Sequence, residues 1–171
     1  MATTAVRVSL EEYMNTTYEP DCDYVEGILE ERNVGKQKHS MTQALLLARL
    51  VLGQRGAGYK ALPEQRVQVA RSRVRIPDIC LIPADDDDEV TQHPPVLWIE
   101  ILSPDDRWSR IQIRIEDALA FGVPTVWIVD PYSRQAWIAT REHGAAPVPD
   151  GLLRCSAPNL EIPLAEVLPE E

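Results

Sequence analysis

The sequence predicts a single α/β domain. Its 171 residues fall within the usual size of one domain and are enough to bury a hydrophobic core. Hydrophobic residues make up 44% of the chain and charged residues 26%, which are ordinary values for a globular protein. Segments of strand-like composition alternate with segments of helical pattern, without an internal repeat. Together these observations favour one continuous α/β domain.

The first half of the chain predicts two helices and several short strands. A short helix is expected at "SLEEYMN", where Ser9 can cap the helix and two glutamates occupy its first turn. The segment "CDYVEGILEERN" predicts two short strands that turn at Gly27. The segment "HSMTQALLLARLVLGQRG" carries apolar residues too densely for strand alternation and ends in glycines, which indicates a long helix. Further β-type segments are expected around Val67–Val69 and Ile79–Ile82.

The second half predicts a buried strand, a helix and two more strands. The run "PVLWIEIL" has the composition of a buried central strand. The segment "DRWSRIQIRIEDALAFG" predicts a helix that stops at Gly122, and "PTVWIVD" and "RQAWIATRE" predict strands joined by turn residues. From about residue 144 the proline-rich chain predicts a mostly irregular tail with room for one more strand.

Composition also bounds the cellular setting. The N-terminus lacks a basic region followed by an apolar run, and no apolar run approaches the roughly 18 residues of a membrane span. Three widely spaced cysteines without metal-ligand spacing predict a reduced, cytoplasmic chain. The net charge of −10 argues against nucleic-acid binding over the whole surface. A bound divalent metal and a local basic patch can still reverse the field at a site.

Two carboxylates stand out because they lie in apolar segments. Asp78 follows a proline before the run "ICLI", and Glu100 interrupts "LWIEIL". If the two strands are neighbours, both side chains can converge at one edge of the sheet. Two hard oxygen ligands with an open coordination position suit Mg²⁺, with Mn²⁺ as a substitute. The alternative from spacing alone is that Asp78 caps a turn and Glu100 pairs with an arginine.

Five segments in a fixed order carry a resemblance to a known family. They are "YVEGILEE", "KHSMTQALLLARL", "VRIPDICLI", "LWIEILSPDDR" and "AFGVPTVWIVDP". With them the chain resembles the Uma-two family of restriction-endonuclease-like proteins, a branch of the PD-(D/E)XK nuclease superfamily. The resemblance implies a restriction-endonuclease-like mixed sheet flanked by helices, with a metal site at one edge of the sheet. It also implies that Asp78 and Glu100 are the metal-binding acids.

Two arginines depart from the pattern of the family. Ser103 lies near the position of the lysine in the parent motif, a role that a lysine from the following helix usually fills. An ungapped alignment places Arg114 at that lysine position and Arg110 where an aspartate is common. Arg114 can hold a phosphate or stabilise developing charge, but a guanidinium does not transfer protons at neutral pH. The alternative is that both arginines lie on a solvated helix face.

Three other polar residues are candidates for the site. Two of them match positions of the family that the chain resembles, and the third lies on a neighbouring strand. Glu26, beside the Gly27 turn, is expected as a third carboxylate that reaches the site, or otherwise as an exposed hairpin charge. His39, at the start of the long helix, can contact phosphate or act as a helix cap. Gln65 is expected as a polar group that supports the site from a neighbouring strand.

Two functions therefore follow from the sequence. The first is a Mg²⁺-dependent endonuclease that hydrolyses DNA phosphodiesters with a metal-activated water, and it acts as a homodimer because a duplex has two strands to cut. The second is a nuclease fold with weak or no catalysis that serves as a binding or regulatory module. Asp78 and Glu100 favour the first function, whereas Arg110, Arg114 and the acidic surface favour the second.

Overall fold

The structure is a computed structural model that describes residues 7–33 and 35–170. Within these ranges it contains four helices and twelve strands. The helices are α1 (Leu10–Met14), α2 (Gln37–Gly53), α3 (Trp108–Phe121) and α4 (Leu164–Val167). The strands are β1 (Cys22–Val25), β2 (Ile28–Glu31), β3 (Tyr59–Pro63), β4 (Val67–Ala70), β5 (Arg73–Arg75), β6 (Ile79–Pro83), β7 (Leu97–Ile101), β8 (Val126–Asp130), β9 (Gln135–Thr140), β10 (Gly144–Pro147), β11 (Leu152–Ser156) and β12 (Asn159–Pro163).

A six-stranded mixed sheet forms the centre of the protein, in the order β10-β9-β8-β7-β6-β3. Strands β7 and β8 are parallel, and α3 lies between them in the chain; the other neighbours in this sheet are antiparallel. All five residues of β7 are buried, which agrees with the apolar run that predicted a central strand. The predicted α/β fold with a mixed sheet flanked by helices is confirmed.

The two faces of β7 pack against different helices. Leu97, Ile99 and Ile101 belong to a hydrophobic cluster that contains buried residues of α2. Trp98, which points to the opposite face, belongs to a second cluster with Ile111 and other residues of α3. Because side chains alternate along a strand, Glu100 also lies on the face covered by α3.

A smaller antiparallel sheet, in the order β2-β1-β5-β4, lies beside the central sheet. Tyr13 of α1 packs with Tyr24 of β1 and Val74 of β5 in a separate apolar cluster. The predicted cap of α1 is confirmed, since the Ser9 hydroxyl accepts a hydrogen bond of 3.1 Å from the backbone N–H of Glu12. The strands that were predicted to turn at Gly27 are β1 and β2.

The expectation of a mostly irregular tail is wrong. Residues 144–167 form three strands and a short helix, with β11 and β12 paired as a hairpin. Leu153, Cys155 and Ile162 are buried in the main core, because alternate residues of this hairpin face it. The abundant prolines lie in turns and at strand ends, so they conceal the alternation without preventing the strands.

None of the described helices is long and apolar enough to cross a membrane. The cysteines at positions 22, 80 and 155 are buried and free.

The end of α3 provides a test of how closely Gly122 packs against Pro94. Gly122 ends the helix with φ of 116°, and a Cβ at this position would lie 3.1 Å from Pro94 Cγ. We expect Gly122→Ala to lower stability by about 1–3 kcal/mol, since it adds backbone strain and a close contact. Gly144→Ala is the matched control, because φ there is 60° and nothing lies within 4 Å of the added methyl. Chemical denaturation measures both changes, and equal losses would contradict the role of the Pro94 contact.

Candidate active site

The two predicted acids meet at the adjoining ends of neighbouring strands. Strand β6 pairs antiparallel with β7 and places Ile79 opposite Ile99, so Asp78 lies opposite Glu100 one residue further on. The backbone N–H of Ile101 donates a hydrogen bond of 2.7 Å to Asp78 Oδ2. Both carboxylates are buried and both line the same open pocket. The expected convergence of Asp78 and Glu100 is therefore present in the fold.

The pocket collects charged side chains from both sheets and both long helices. Besides Asp78 and Glu100, four residues that stood out in the sequence line it: His39, Ser103, Arg110 and Arg114. Its remaining polar and charged lining residues are Asp23, Glu30, Glu31, Arg32, Asn33, Arg75 and Asp106. Acids and bases are thus interleaved around the pocket in a protein whose net charge is strongly negative.

Glu100 is held by Arg114 and Trp98. The Arg114 guanidinium donates to Glu100 Oε1 from Nε at 3.1 Å and from Nη2 at 2.9 Å, and Nη2 lies 3.1 Å from Oε2. The indole N–H of Trp98 donates to the same Oε1 at 2.8 Å. Charge-assisted hydrogen bonds of this kind satisfy a buried carboxylate and fix its orientation.

Arg114 also joins Glu100 to the smaller sheet. Its Nη1 donates to Asp23 Oδ2 at 2.6 Å, and its Nη2 donates to the backbone oxygen of Ile76 at 2.7 Å. Most of its N–H donors therefore have internal partners. The sequence predicted that Arg114 is a phosphate contact or a solvated charge, but in the structure it is a largely buried cation between two acids, with 13% of its side chain exposed.

Asp78 has a different set of partners. Arg32 Nη2 donates to Asp78 Oδ1 at 2.6 Å, and His39 Nε2 lies 3.5 Å from Oδ2. The packing around His39 is close, because a Cβ on Gly35 would lie only 2.7 Å from its Nδ1 atom. His39 is thus positioned against Asp78 at the start of α2 and does not serve as a side-chain cap of that helix.

Burial and charge move the pKa values of the two acids in opposite directions. Burial favours the neutral form of Asp78, but the contact with His39 and the charge of Arg32 outweigh it, so the pKa of Asp78 is lowered. Burial raises the pKa of Glu100 against the opposing charge of Arg114, and Asp78 adds to the rise. Pairs of acids whose pKa values are pushed apart in this way are typical of functional sites.

An ion-pair network along the wall of the pocket connects α3 to the smaller sheet. Arg75, on β5, donates from Nη1 to Asp23 at 3.0 Å and to Glu30 at 2.7 Å, and from Nε to Asp117 of α3 at 2.8 Å. The backbone N–H of Ile76 donates to Asp23 Oδ1 at 3.0 Å. Asp23 was missed in the sequence, although a carboxylate within "CDYV" is the same signal that identified Glu100.

The structure does not bring Glu26 and Gln65 to the pocket. Glu26 lies in the turn after β1 with φ of 51°, and its exposed carboxylate pairs with Arg73 Nη2 at 3.2 Å. Gln65 lies between β3 and β4, where its amide donates to the backbone oxygen of Glu89 at 3.0 Å and to Thr91 Oγ1 at 3.2 Å. The expectation that either residue reaches the two acids is corrected. Glu30 and Glu31 of β2 are the glutamates of this hairpin that line the pocket, and of these Glu30 pairs with Arg75.

The two arginines of α3 provide a matched stability test. We expect Arg114→Ala to destabilise the protein by about 3–5 kcal/mol, because it leaves Glu100 and Asp23 buried without their shared cation. Arg110→Ala, on the exposed part of the same helix, should change stability by less than about 0.5 kcal/mol. Chemical denaturation of both variants measures the difference. An Arg114→Ala protein as stable as the Arg110→Ala protein would show that the buried pairing contributes little.

Comparisons with known proteins agree with this architecture. A crystal structure from Anabaena variabilis, of a protein described as "a putative nuclease belonging to DUF820", matches with a TM-score of 0.79 and 22% identity. The match covers 94% of this chain and 97% of that chain, and at this identity it shows a shared fold. A cryo-EM structure of a DrdV–DNA complex matches with a TM-score of 0.44 and 19% identity. This second match covers 67% of this chain but 10% of that chain, a likeness too weak for any inference.

A comparison with curated proteins gave no significant match. The family model Uma2, described as "Putative restriction endonuclease", matches residues 10–169. This range contains all three sheets and all four helices of the described residues, and every residue that lines the pocket. The chain is therefore a member of the Uma2 family of restriction-endonuclease-like proteins.

Proposed function

We propose that the protein is a Mg²⁺-dependent endonuclease that hydrolyses DNA phosphodiester bonds. The observation that carries this proposal is the convergence of Asp78 and Glu100, two buried carboxylates from neighbouring strands, in one open pocket. Membership of a restriction-endonuclease-like family supports a nuclease-type function. DNA, Mg²⁺ and the hydrolytic step are the parts that the proposal adds.

The donor atoms of the pocket suit a hard divalent cation. Asp78 and Glu100 would hold it, and no larger cluster of His, Cys, Asp and Glu suited to a metal occurs in residues 7–33 and 35–170. Mg²⁺ fits a site with one or two carboxylates, because it keeps several waters and takes other ligands from a phosphate. When bound, the cation would polarise a phosphate oxygen and lower the pKa of the attacking water.

The protein residues around the two acids then have separate tasks. Arg114 keeps Glu100 oriented, and His39 lies against Asp78. Arg110 is exposed at the pocket and can meet an incoming phosphate group. Water adds to the phosphorus and one P–O bond breaks, which leaves a phosphate on one end of the cut strand and a hydroxyl group on the other.

A second candidate function rests on the same arginines. Arg32 and Arg114 already neutralise Asp78 and Glu100, so a divalent cation must share or displace their contacts. A chain in which these ion pairs persist would keep the nuclease fold as a binding or regulatory module. The two functions differ in whether the purified protein cuts DNA.

We also propose a homodimer and a cytoplasmic location. Cutting both strands of a duplex requires two sites, and α2 carries exposed apolar side chains at Met41, Val51 and Leu52 that can supply an interface.

The free thiols at the three buried cysteines support the second of these proposals, a reducing, cytoplasmic compartment.

The nuclease proposal predicts metal-dependent nicking of plasmid DNA. We expect the parent to nick in Mg²⁺ or Mn²⁺ and to stop when EDTA is added. Glu100→Gln should lose at least about a hundredfold in rate, because it removes a charged group from the reacting centre. Glu142→Gln, at a carboxylate with 86% of its side chain exposed, is the matched control and should nick like the parent. Equal nicking by parent and Glu100→Gln, or none by the parent with either metal, would favour the binding module.

The dimer proposal predicts a light-scattering mass of about twice the 19.2 kDa chain at tens of micromolar protein. The side chain of Leu52 is 83% exposed in the single chain and would be buried in the proposed interface. Leu52→Glu should therefore convert the dimer to a monomer, because the dimer would have to bury an unpaired charge. Ile28→Glu, at an exposed apolar position on β2, should leave the mass unchanged. A parent with the mass of one chain would contradict the dimer.

A further inference from the structure

The two acids of the pocket are neutralised by arginines that are held in very different ways. Arg114 donates to Glu100, to Asp23 and to the backbone oxygen of Ile76. Arg32 donates through Nη2 to Asp78 alone among the described residues. Since a guanidinium carries five N–H donors, Arg32 retains four that are not committed to atoms of residues 7–33 and 35–170.

The position of Arg32 in the chain allows its side chain to move. It follows directly after β2, which is an edge strand of the smaller sheet, and it lines the pocket. The next residue, Asn33, donates from Nδ2 to Asp106 Oδ1 at 2.5 Å, which holds this segment beside the pocket. Arg32 can therefore turn away from Asp78 without leaving the pocket, whereas movement of Arg114 would break contacts to two sheets.

The chemistry of the guanidinium fits a phosphate at this place. Arginine forms paired hydrogen bonds with the oxygens of a phosphate, and it stays charged at every relevant pH. A divalent cation on Asp78 competes with Arg32 for the same carboxylate, since both are cations that lie close to one oxygen. Metal loading thus weakens the one contact that holds Arg32 and leaves its donors beside the pocket.

We propose that Arg32, and not Arg114 at the lysine position of the family, supplies the cationic contact to the scissile phosphate. Its bond to Asp78 is the resting state, and it exchanges Asp78 for a phosphate oxygen when metal and DNA occupy the pocket. Arg114 remains a positioning residue for Glu100 throughout. This inference rests on the proposed nuclease function and assigns a substrate contact within it.

The test measures binding of a short DNA duplex, with and without a divalent cation, over a series of salt concentrations. Ca²⁺ serves as the cation because it takes the same oxygen ligands as Mg²⁺. We expect Arg32→Gln to weaken binding about tenfold to a hundredfold in Ca²⁺, the usual loss for a hydrogen bond to a charged group. The slope of log affinity against log salt should fall by about one. In EDTA the variant should bind like the parent, because Arg32 is then engaged by Asp78.

Three controls separate this role from a structural one. Arg71→Gln removes an exposed arginine of the β4–β5 turn and should leave binding unchanged in Ca²⁺. Arg32→Lys, which keeps a cation, should recover part of the lost affinity. This recovery would show that the loss in Arg32→Gln comes from the missing charge and not from misfolding. Thermal denaturation with Mn²⁺ should show a stabilisation of Arg32→Gln at least as large as that of the parent, since a competitor for Asp78 is gone.

The possible failures are distinguishable. A parent that neither binds nor nicks DNA with any divalent cation overturns the nuclease proposal and this inference with it. A parent that binds and nicks, with Arg32→Gln indistinguishable from Arg71→Gln, overturns only the role of Arg32. An equal loss of affinity in EDTA and in Ca²⁺ also overturns it, because the contact would then not depend on metal.

Discussion

The structure depends on the pairing of one guanidinium with two buried acids. Arg114 of α3 lies between Glu100 of β7 and Asp23 of β1, and all three side chains are largely buried. Removing such charges from water costs several kcal/mol for each ion, and only close pairing and complete hydrogen bonding offset the cost. The apolar central strand can hold a carboxylate because α3 brings this cation to it. The same contact fixes the distance between the two sheets.

The pairing also separates the two acids in character. Glu100 belongs to a network that continues through Asp23 and Arg75 to Asp117, so its position is determined by several elements at once. Asp78 is held by the N–H of Ile101, by Arg32 and by His39 at the edge of this network. The two acids are equally buried, but the arginine on Glu100 is shared with Asp23, whereas the side chain of the arginine on Asp78 makes no other hydrogen bond or ion pair to the described residues. A site of this design combines a rigid anchor with an adaptable partner.

The parts of the fold that depend on local pattern could be predicted from the sequence. The main helices, the apolar central strand and the two acids in apolar segments were all found in this way. The strands β3 and β5 were not, because runs of five and three residues are too short for an alternation to be recognised in the sequence. The counter-ions of the site were also missed or misread. Arg32 and Arg75 reach it through pairing of strands that are distant in the chain, which no local pattern records. Glu26 was chosen instead of Glu30 because composition does not show which hairpin residue lies in the turn itself.

The separation of Asp23 and Arg114 by 91 residues has a consequence for the path of folding. Asp23 is synthesised long before Arg114. Closing a loop of this length is slow compared with forming a helix or a hairpin. Arg75 of β5 supplies one cation to Asp23 and Glu30, and α3 then supplies the second cation of Asp23, Arg114. A chain interrupted before α3 would therefore carry Glu100 without the guanidinium that neutralises it, so we expect the pocket to be complete only when α3 is in place.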